Sequence, residues 1–437
     1  MTLVGALILL MVLLVCGIPI PLTFIASAMF FIFFGGYNFM SLMPYGFSTM
    51  NSIVLMTIPL FIMVGSLMNK GGIGNALVTS VEKIVGNRKG GLAIIAVLSC
   101  GVFSSVCGSS SATLAAIGSI LSPRLRENGY DPGFYGALIA SSGVLGILIP
   151  PSALMILYAW SGGQSVLASF LATLVPAFLL IIFFTAVSLY WSVKDPNIIV
   201  HPKPTREEAI AEKMRKKAAK ERGPLAALLM PIFILGSIYG GFLTPTEAAA
   251  LAVFYAIPVG FFVYKTLKLK SLIDTFIQSG ITTGVIMVML FSVMILSRLL
   301  VMENLPQSML KLVMLAAGDN KMVMLLLVNL FIIVVGMLMD DVSGVLLTTP
   351  ILLPVVTAYG VHPIHFAGII GVNLGMGNVT PPTAPLLYLA SRVCDADIKD
   401  MLKPTLALIA FAWLPALMLT TYIPGIALAV PRFLGYV

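Results

Sequence analysis

Two stretches of this sequence free backbone groups inside otherwise apolar segments. They are Ile147-Leu148-Ile149-Pro150-Pro151-Ser152-Ala153 and Asn378-Val379-Thr380-Pro381-Pro382-Thr383-Ala384. Proline lacks an N–H and clashes with the preceding turn, so a pair of prolines ends one helix and can start the next. Each segment therefore reads as a broken helix. Two polar runs accompany them, Gly108-Ser109-Ser110-Ser111 and Asp340-Asp341-Val342-Ser343. Carbonyl and hydroxyl oxygens are ligands for a hard cation, and half-helix C-termini carry partial negative charge. No Lys or Arg lies in either run, which favours Na⁺ held by neutral oxygens over a buried salt bridge. Half-helix N-termini after the Pro pairs present N–H groups suited to a carboxylate. The candidates to contact a substrate are Ser109, Ser110, Ser111, Pro150, Ser152, Asp340, Asp341, Asn378, Pro381 and Pro382. Non-helical backbone at membrane depth is tolerated only where it is buried in protein or lines a cavity, so this chemistry points to transport.

The two stretches are echoes. A gapless shift of 231 residues lays Pro123 on Pro354, Gly129 on Gly360, Pro132 on Pro363, Gly146 on Gly377 and Pro150-Pro151 on Pro381-Pro382. The same shift pairs Ile149 with Thr380 and sets one polar run beside the other. The chain reads as two copies of one unit.

The elements that must carry these residues are membrane helices. Of 437 residues, 59% are hydrophobic and 10% charged, against about a quarter charged in soluble proteins. Mean hydropathy is +1.06. Apolar runs of about eighteen residues or more recur along the chain, the mark of a polytopic helical membrane protein. The formal net charge of +8 reflects basic cytoplasmic loops, not a nucleic-acid partner. The four cysteines, Cys16, Cys100, Cys107 and Cys394, lie in or beside apolar segments and read as small buried hydrophobes.

Taken in order, residues 3–34 read as one span kinked at Pro19 and Pro21, and residues 35–50 as a connection. Residues 51–68 span, and Lys70, Lys83, Arg88 and Lys89 mark a cytoplasmic segment. Residues 91–122 are basic at both flanks, which one span cannot be. They read as a re-entrant hairpin with its polar tip at mid-membrane. The first broken helix covers 133–160, and 165–193 return. The loop 194–223 holds nine Lys/Arg against five Asp/Glu, with a capping box at Thr205 to Glu208 and a Glu212–Lys216 pair suited to a short surface helix. Spans follow at 224–243, 246–264 and 274–302. A second hairpin covers 322–357, a second broken helix 363–391, and a last span 404–431. Residues 1–193 thus form the first repeat and 224–437 the second. Nine spans and two opposed hairpins place the N-terminus inside and the C-terminus outside. The expected fold is an all-α polytopic membrane protein built as an inverted repeat.

This arrangement resembles the large membrane subunit of tripartite ATP-independent periplasmic (TRAP) transporters. The resemblance rests on Gly108-Ser109-Ser110-Ser111, Gly146 to Ser152, Asp340-Asp341, Gly375-Met376-Gly377-Asn378 and Thr380-Pro381-Pro382-Thr383, in that order over the whole chain. It implies an elevator-type secondary transporter in the bacterial inner membrane, driven by a Na⁺ gradient. It also implies a small four-helix membrane subunit, here a separate polypeptide, and a periplasmic binding protein that delivers a small organic acid such as sialic acid or a C4-dicarboxylate. Carried over by position, one Na⁺ site would use Ser104, Cys107, Gly146, Ile149 and Pro151, largely through carbonyls. Where Cys107 stands the family usually has Ser. The second site would use Gly336, Gly377, Thr380 and Thr383.

Plainer readings stand beside these. Ser and Gly in membrane helices often serve only close packing. Asp340 and Asp341 are either functional acids or caps at the hairpin tip. His362 and His365 are too few ligands for a metal site. Arg298 either snorkels or meets an anionic substrate. A stand-alone Na⁺-coupled carboxylate carrier would share the same repeats without needing a binding protein. No nucleophile–base pair or metal cluster suggests an enzyme, no P-loop suggests ATP drive, and sealed hairpins sit poorly with a passive channel.

Overall fold

The computed structural model of the chain describes residues 2–86, 88–199, 225–381 and 383–437, and every regular element among them is helical. The capping box at Thr205, the Glu212–Lys216 pair, most of the basic loop and Pro382 lie outside the described residues. Among those described, seven helices are long and apolar enough to cross a membrane. Counting the pair Pro132–Leu148 and Ala153–Gly162, bent by 45°, makes eight.

The offset of 231 found in the sequence is kept element by element. Gly91–Cys107 and Ser110–Glu127 correspond to Lys321–Leu338 and Asp341–Ala358. Pro132–Gly143, Leu145–Leu148 and Ala153–Gly162 correspond to Pro363–Gly377 and Pro385–Cys394. Val166–Lys194 matches Ile398–Tyr422, and Ile73–Val85 matches Leu305–Ala317. Hydropathy and charge in the sequence assign no element to residues 305–317, which the structure forms as Leu305–Ala317.

Each hairpin forms because its tip cannot continue a helix. Gly108 closes the first arm with φ +62, a conformation that costs residues with a Cβ. Ser109 then caps the second arm by accepting the Ala112 N–H. Asp340 does the same for Ser343 in the other unit. The arms fold back, so Thr113 Oγ1 lies 2.9 Å from Cys107 Sγ. At the base of the second hairpin Lys321 Nζ donates to Gly360 O at 3.0 Å.

The two units point at each other from opposite sides. Their tips meet, with Ser110 Oγ donating to Asp341 Oδ2 at 2.8 Å. The base of the first hairpin lies instead at the far end of the second broken helix, where Arg126 donates to Asp395 O at 2.9 Å and to its carboxylate at 3.0 Å. Reciprocally, Tyr158 near the end of the first broken helix donates to Pro363 O at 2.6 Å, at the start of the second. Ser110 and Asp341 are positions 231 residues apart, equivalent in the two units, that touch. Val144 and Gly375 are a second such pair, since a Cβ on Gly375 would overlap Val144.

Two expectations about the ends of the chain are corrected. Residues 3–34 are not one kinked span. They form Thr2–Val15 and Ile20–Gly35, turned at Gly17 and packed antiparallel, with Ser27 Oγ donating to Ala6 O at 3.0 Å. Pro19 marks a reversal rather than a kink, because Gly17 at φ +76 lets the chain turn completely. Residue 35 therefore returns to the side where residue 2 starts. At the other end, the last long helix is Ile398–Tyr422, and Pro424–Phe433 is a separate helix beyond it. The connection 35–50 also carries a helix of its own, Phe39–Met50.

Candidate functional site

The first hairpin tip is seated in the first break. The chain bends through Ile149, Pro150 and Pro151 between extended conformations at Ile149 and Ser152, and the N–H of Ala153, which opens the next half-helix, donates to Gly108 O at 3.2 Å. A Cβ on Gly108 would stand 2.5 Å from Pro151 O, and one on Gly146 would overlap the Ser109 carbonyl. Ile149 packs against Gly101 of the first arm. Ser104, Cys107, Gly146, Ile149 and Pro151 thus come together in one locality. Thr113, which the sequence reading missed, lies among them. Its hydroxyl donates to Ser109 O at 2.9 Å and lies 3.5 Å from Ser104 Oγ. Its signal was available, since Thr113 stands four residues after Ser109 on one helix face. Ser104 Oγ donates to Cys100 O at 2.5 Å, which leaves its lone pairs free for a cation.

In the second unit, Gly336 and Gly377 meet backbone to backbone. A Cβ on Gly377 would stand 2.6 Å from Gly336 Cα. Thr380 N donates to Gly377 O at 3.0 Å and its hydroxyl to Met376 O at 2.6 Å. Thr383 is exposed, further along the break. Asn378 is buried and its Oδ1 has no hydrogen-bond partner. An orphaned amide oxygen beside Gly377 and Thr380 suits a hard cation, so both localities fit Na⁺ by donor type.

Between the tips lies a cavity of about 410 Å³. Its polar lining is Ser109, Ser111, Asp340 and Asp341 from the tips, with Ser66 from Thr57–Lys70 and Thr282 from Leu269–Met302. The rest is Gly and aliphatic, with no Lys or Arg. Ser66 is a lone hydroxyl and Thr282 one of the pair Thr282-Thr283 in otherwise apolar helices, and no sequence pattern distinguishes either from packing residues.

The remaining predicted residues are placed otherwise. Pro150 and Ser152 are enclosed and do not line the cavity. Ser152 Oγ donates to Ile147 O at 2.5 Å and accepts the Met155 N–H at 3.3 Å, so its hydroxyl is occupied as a helix cap. Ser152→Ala is expected to cost about 1 kcal/mol. It should lower the thermal midpoint of the purified protein by a few degrees without a matching loss of substrate affinity. A loss of affinity at unchanged midpoint would put the hydroxyl at the site instead. Pro381 is half-buried.

The N–H groups expected to hold a carboxylate are also partly occupied. Those of Ala153 and Met155 bond Gly108 O and Ser152 Oγ, and that of Leu386 donates to Asn378 O at 3.2 Å. The histidines do not pair as ligands. His362 caps Pro363–Gly377, and burial, then Arg432, hold its imidazole below the usual range. His365 Nε2 lies 2.9 Å from Thr420 O. Cys100, Cys107 and Cys394 are buried free thiols, whereas Cys16 is exposed in the first turn.

The family model for the DctM component of the tripartite ATP-independent periplasmic transporter matches residues 7–426. The chain belongs to this family. It is 35% identical over 393 residues to the C4-dicarboxylate TRAP transporter large permease protein DctM of Pseudomonas aeruginosa, covering 89% of this chain and 88% of that one. It is 32% identical over 428 residues to the sialic acid TRAP transporter large permease protein SiaM of Vibrio cholerae, covering 97% of each. It is 35% identical over 388 residues to the isethionate TRAP transporter permease protein DctMQ of Oleidesulfovibrio alaskensis, covering 87% of this chain but only 58% of that protein. Two solved transporters share the fold at 13% identity. The YdaH transporter of Alcanivorax borkumensis has a TM-score of 0.57, covering 85% of this chain and 84% of that one. MtrF of Neisseria gonorrhoeae has a TM-score of 0.55, covering 88% and 84%. The protein is therefore a multi-pass TRAP transporter large permease for small organic solutes, and not an enzyme.

Proposed function

We propose that this permease carries out Na⁺-driven uptake of small organic acids across the bacterial inner membrane. The substrate is of the sialic acid, C4-dicarboxylate or isethionate type. A periplasmic binding protein delivers it, and a small four-helix membrane subunit completes the complex. The observation that carries this reading is the cavity of about 410 Å³, where two oxygen-rich hairpin tips converge against Thr57–Lys70 and Leu269–Met302. Oxygens from Ser104 and Thr113, with the carbonyls around Gly146, would hold one Na⁺. Gly336, Gly377, Thr380 and Asn378 would hold the other. The hairpins and broken helices form an inverted, re-entrant pair of units that moves as one body in an elevator motion, supported by their interlocked ends at Arg126–Asp395 and Tyr158–Pro363. The other helices, extended by the small subunit, form the scaffold.

The basic segments at 70–90, 194–223, 265–270 and 392–403 belong in the cytoplasm. With residues 2–35 returning on themselves, the N-terminus then falls on the periplasmic side, opposite the side expected from a single first span. The C-terminus is periplasmic as well.

The test is uptake of radiolabelled succinate, N-acetylneuraminate and isethionate into proteoliposomes holding the permease and its small subunit. Uptake should require both an inward Na⁺ gradient and the binding protein. Uptake with Na⁺ alone would indicate a stand-alone carboxylate carrier. Uptake indifferent to Na⁺ would overturn both ion sites.

A further inference from the structure

The cavity between the tips holds two carboxylates and no base, so an organic anion finds no cationic contact there. An arginine outside it supplies one. Arg298 lies near the end of Leu269–Met302, on the wall of a second cavity of about 280 Å³. Its guanidinium carbon is 5.2 Å from the centroid of the Tyr45 ring. Among the described residues it pairs with no carboxylate. Glu303, the nearest acid along its chain, accepts the Tyr37 hydroxyl at 2.9 Å.

Besides Leu269–Met302, which supplies Met294, Ser297, Arg298 and Val301, three other elements wall this cavity. Tyr45 and Thr49 belong to Phe39–Met50, Trp160 and Ser161 to the end of the first broken helix, and Pro350 to the second hairpin. The cavity thus lies on the seam between the proposed scaffold and the proposed moving units. An arginine that only snorkels reaches away from the protein toward headgroups. This one, although exposed, lies over an aromatic ring beside hydroxyls. The feature is also one-sided, because Leu67, 231 residues earlier, is the equivalent position and is fully buried.

We propose that this second cavity is a waiting site on the periplasmic side, in which Arg298 binds the carboxylate of an incoming organic acid before it reaches the hairpin tips. A guanidinium held over the Tyr45 ring, with no carboxylate partner among the described residues, has N–H groups available for a two-point contact with a carboxylate. The hydroxyls of Ser161 and Ser297 and the indole N–H of Trp160 suit the polar remainder of such a molecule. The proposal rests on the transport reading above, and its test separates the two.

Trp160 provides a readout that does not depend on transport. Succinate, N-acetylneuraminate and isethionate are titrated into the full-length permease in lipid nanodiscs while tryptophan fluorescence is recorded. At least one probe should give a saturable change that Trp160→Phe removes. Arg298→Gln should weaken that binding by about ten- to a hundredfold, and Arg298→Lys by less. Thr49→Asp, which leaves the arginine in place but supplies an internal acid, should weaken it as well. In proteoliposomes the Arg298→Gln permease should show a raised KM for the same probe with its maximal rate kept. An unaltered titration in both Arg298→Gln and Thr49→Asp overturns the waiting site, as does a wild type that transports a probe with no Trp160 response. Neither result touches the transport reading. Failure of the wild type to transport any probe overturns that reading instead. If Arg298→Gln does not fold, Thr49→Asp decides the matter alone.

Discussion

Replacing Gly146 with alanine is expected to abolish uptake, although it adds only a methyl group. That methyl would overlap the Ser109 carbonyl oxygen and stand 2.5 Å from its carbon and 2.8 Å from Ser110 N. All three atoms are backbone of the hairpin tip, so no side chain can turn aside. The tip must withdraw from the break, and with it the Gly108–Ala153 hydrogen bond and the Ser110–Asp341 contact. Overpacking of this kind costs about 1–3 kcal/mol of stability. Misplacing a binding group by about 1 Å can cost roughly a hundredfold in rate. Gly236→Ala is the control, because nothing lies within 4 Å of its added methyl. Thermal unfolding and initial uptake rates of both variants decide the issue. If Gly146→Ala transports as well as Gly236→Ala, the close seating of tip in break is not needed for transport.

The second large effect separates two adjacent acids. Asp340 caps the arm Asp341–Ala358, accepting both the Ser343 N–H and the Ser343 hydroxyl. Asparagine caps a helix about as well as aspartate, so Asp340→Asn is expected to change stability by a few tenths of a kcal/mol and to leave most transport intact. Asp341 has no capping duty. It faces the cavity and accepts the Ser110 hydroxyl from the opposite unit. Asp341→Asn removes the charge from that central contact and should reduce uptake by about ten- to a hundredfold, the worth of one charge-assisted hydrogen bond. Initial rates across a Na⁺ titration would show whether the loss falls on Na⁺ affinity. If Asp340→Asn proved the more harmful, the roles of the two acids would be the reverse of those their contacts indicate.

Much of this architecture was legible because it depends on residues with strong local consequences. Pro150-Pro151 and Gly108 dictate where helices stop, and the 231-residue echo of Pro132 at Pro363 predicts the start of a second broken helix that the structure has at that residue. The beginning of the chain was not legible. Thr2–Val15 and Ile20–Gly35 are as apolar as one long span, and only Gly17 separates a kink from a full reversal. The site was readable to the extent that its ligands lie at a break or a tip. Thr113 was legible from its place four residues after Ser109, whereas Ser66, a lone hydroxyl in an apolar helix, and Thr282, beside Thr283, carry no periodic signature that separates them from packing residues. The occupied N–H groups of Ala153 and Leu386 were hidden for a different reason. Their partners are backbone carbonyls, and a backbone carbonyl has no letter in the sequence.

The equivalent positions that touch one another carry a consequence for how such a molecule can arise. In a true dimer of identical halves, a residue on the axis meets its own copy. Aspartate there would face aspartate and repel it, and valine at the Val144 position would collide with valine. Here the self-facing positions hold unlike residues, Ser110 with Asp341 and Val144 with Gly375. One pair matches donor to acceptor and the other matches bulk to a hollow. Two copies translated from one sequence could form neither match. A carboxylate that meets a hydroxyl at its own equivalent position is open only to halves that have diverged, and in this molecule one chain carries both.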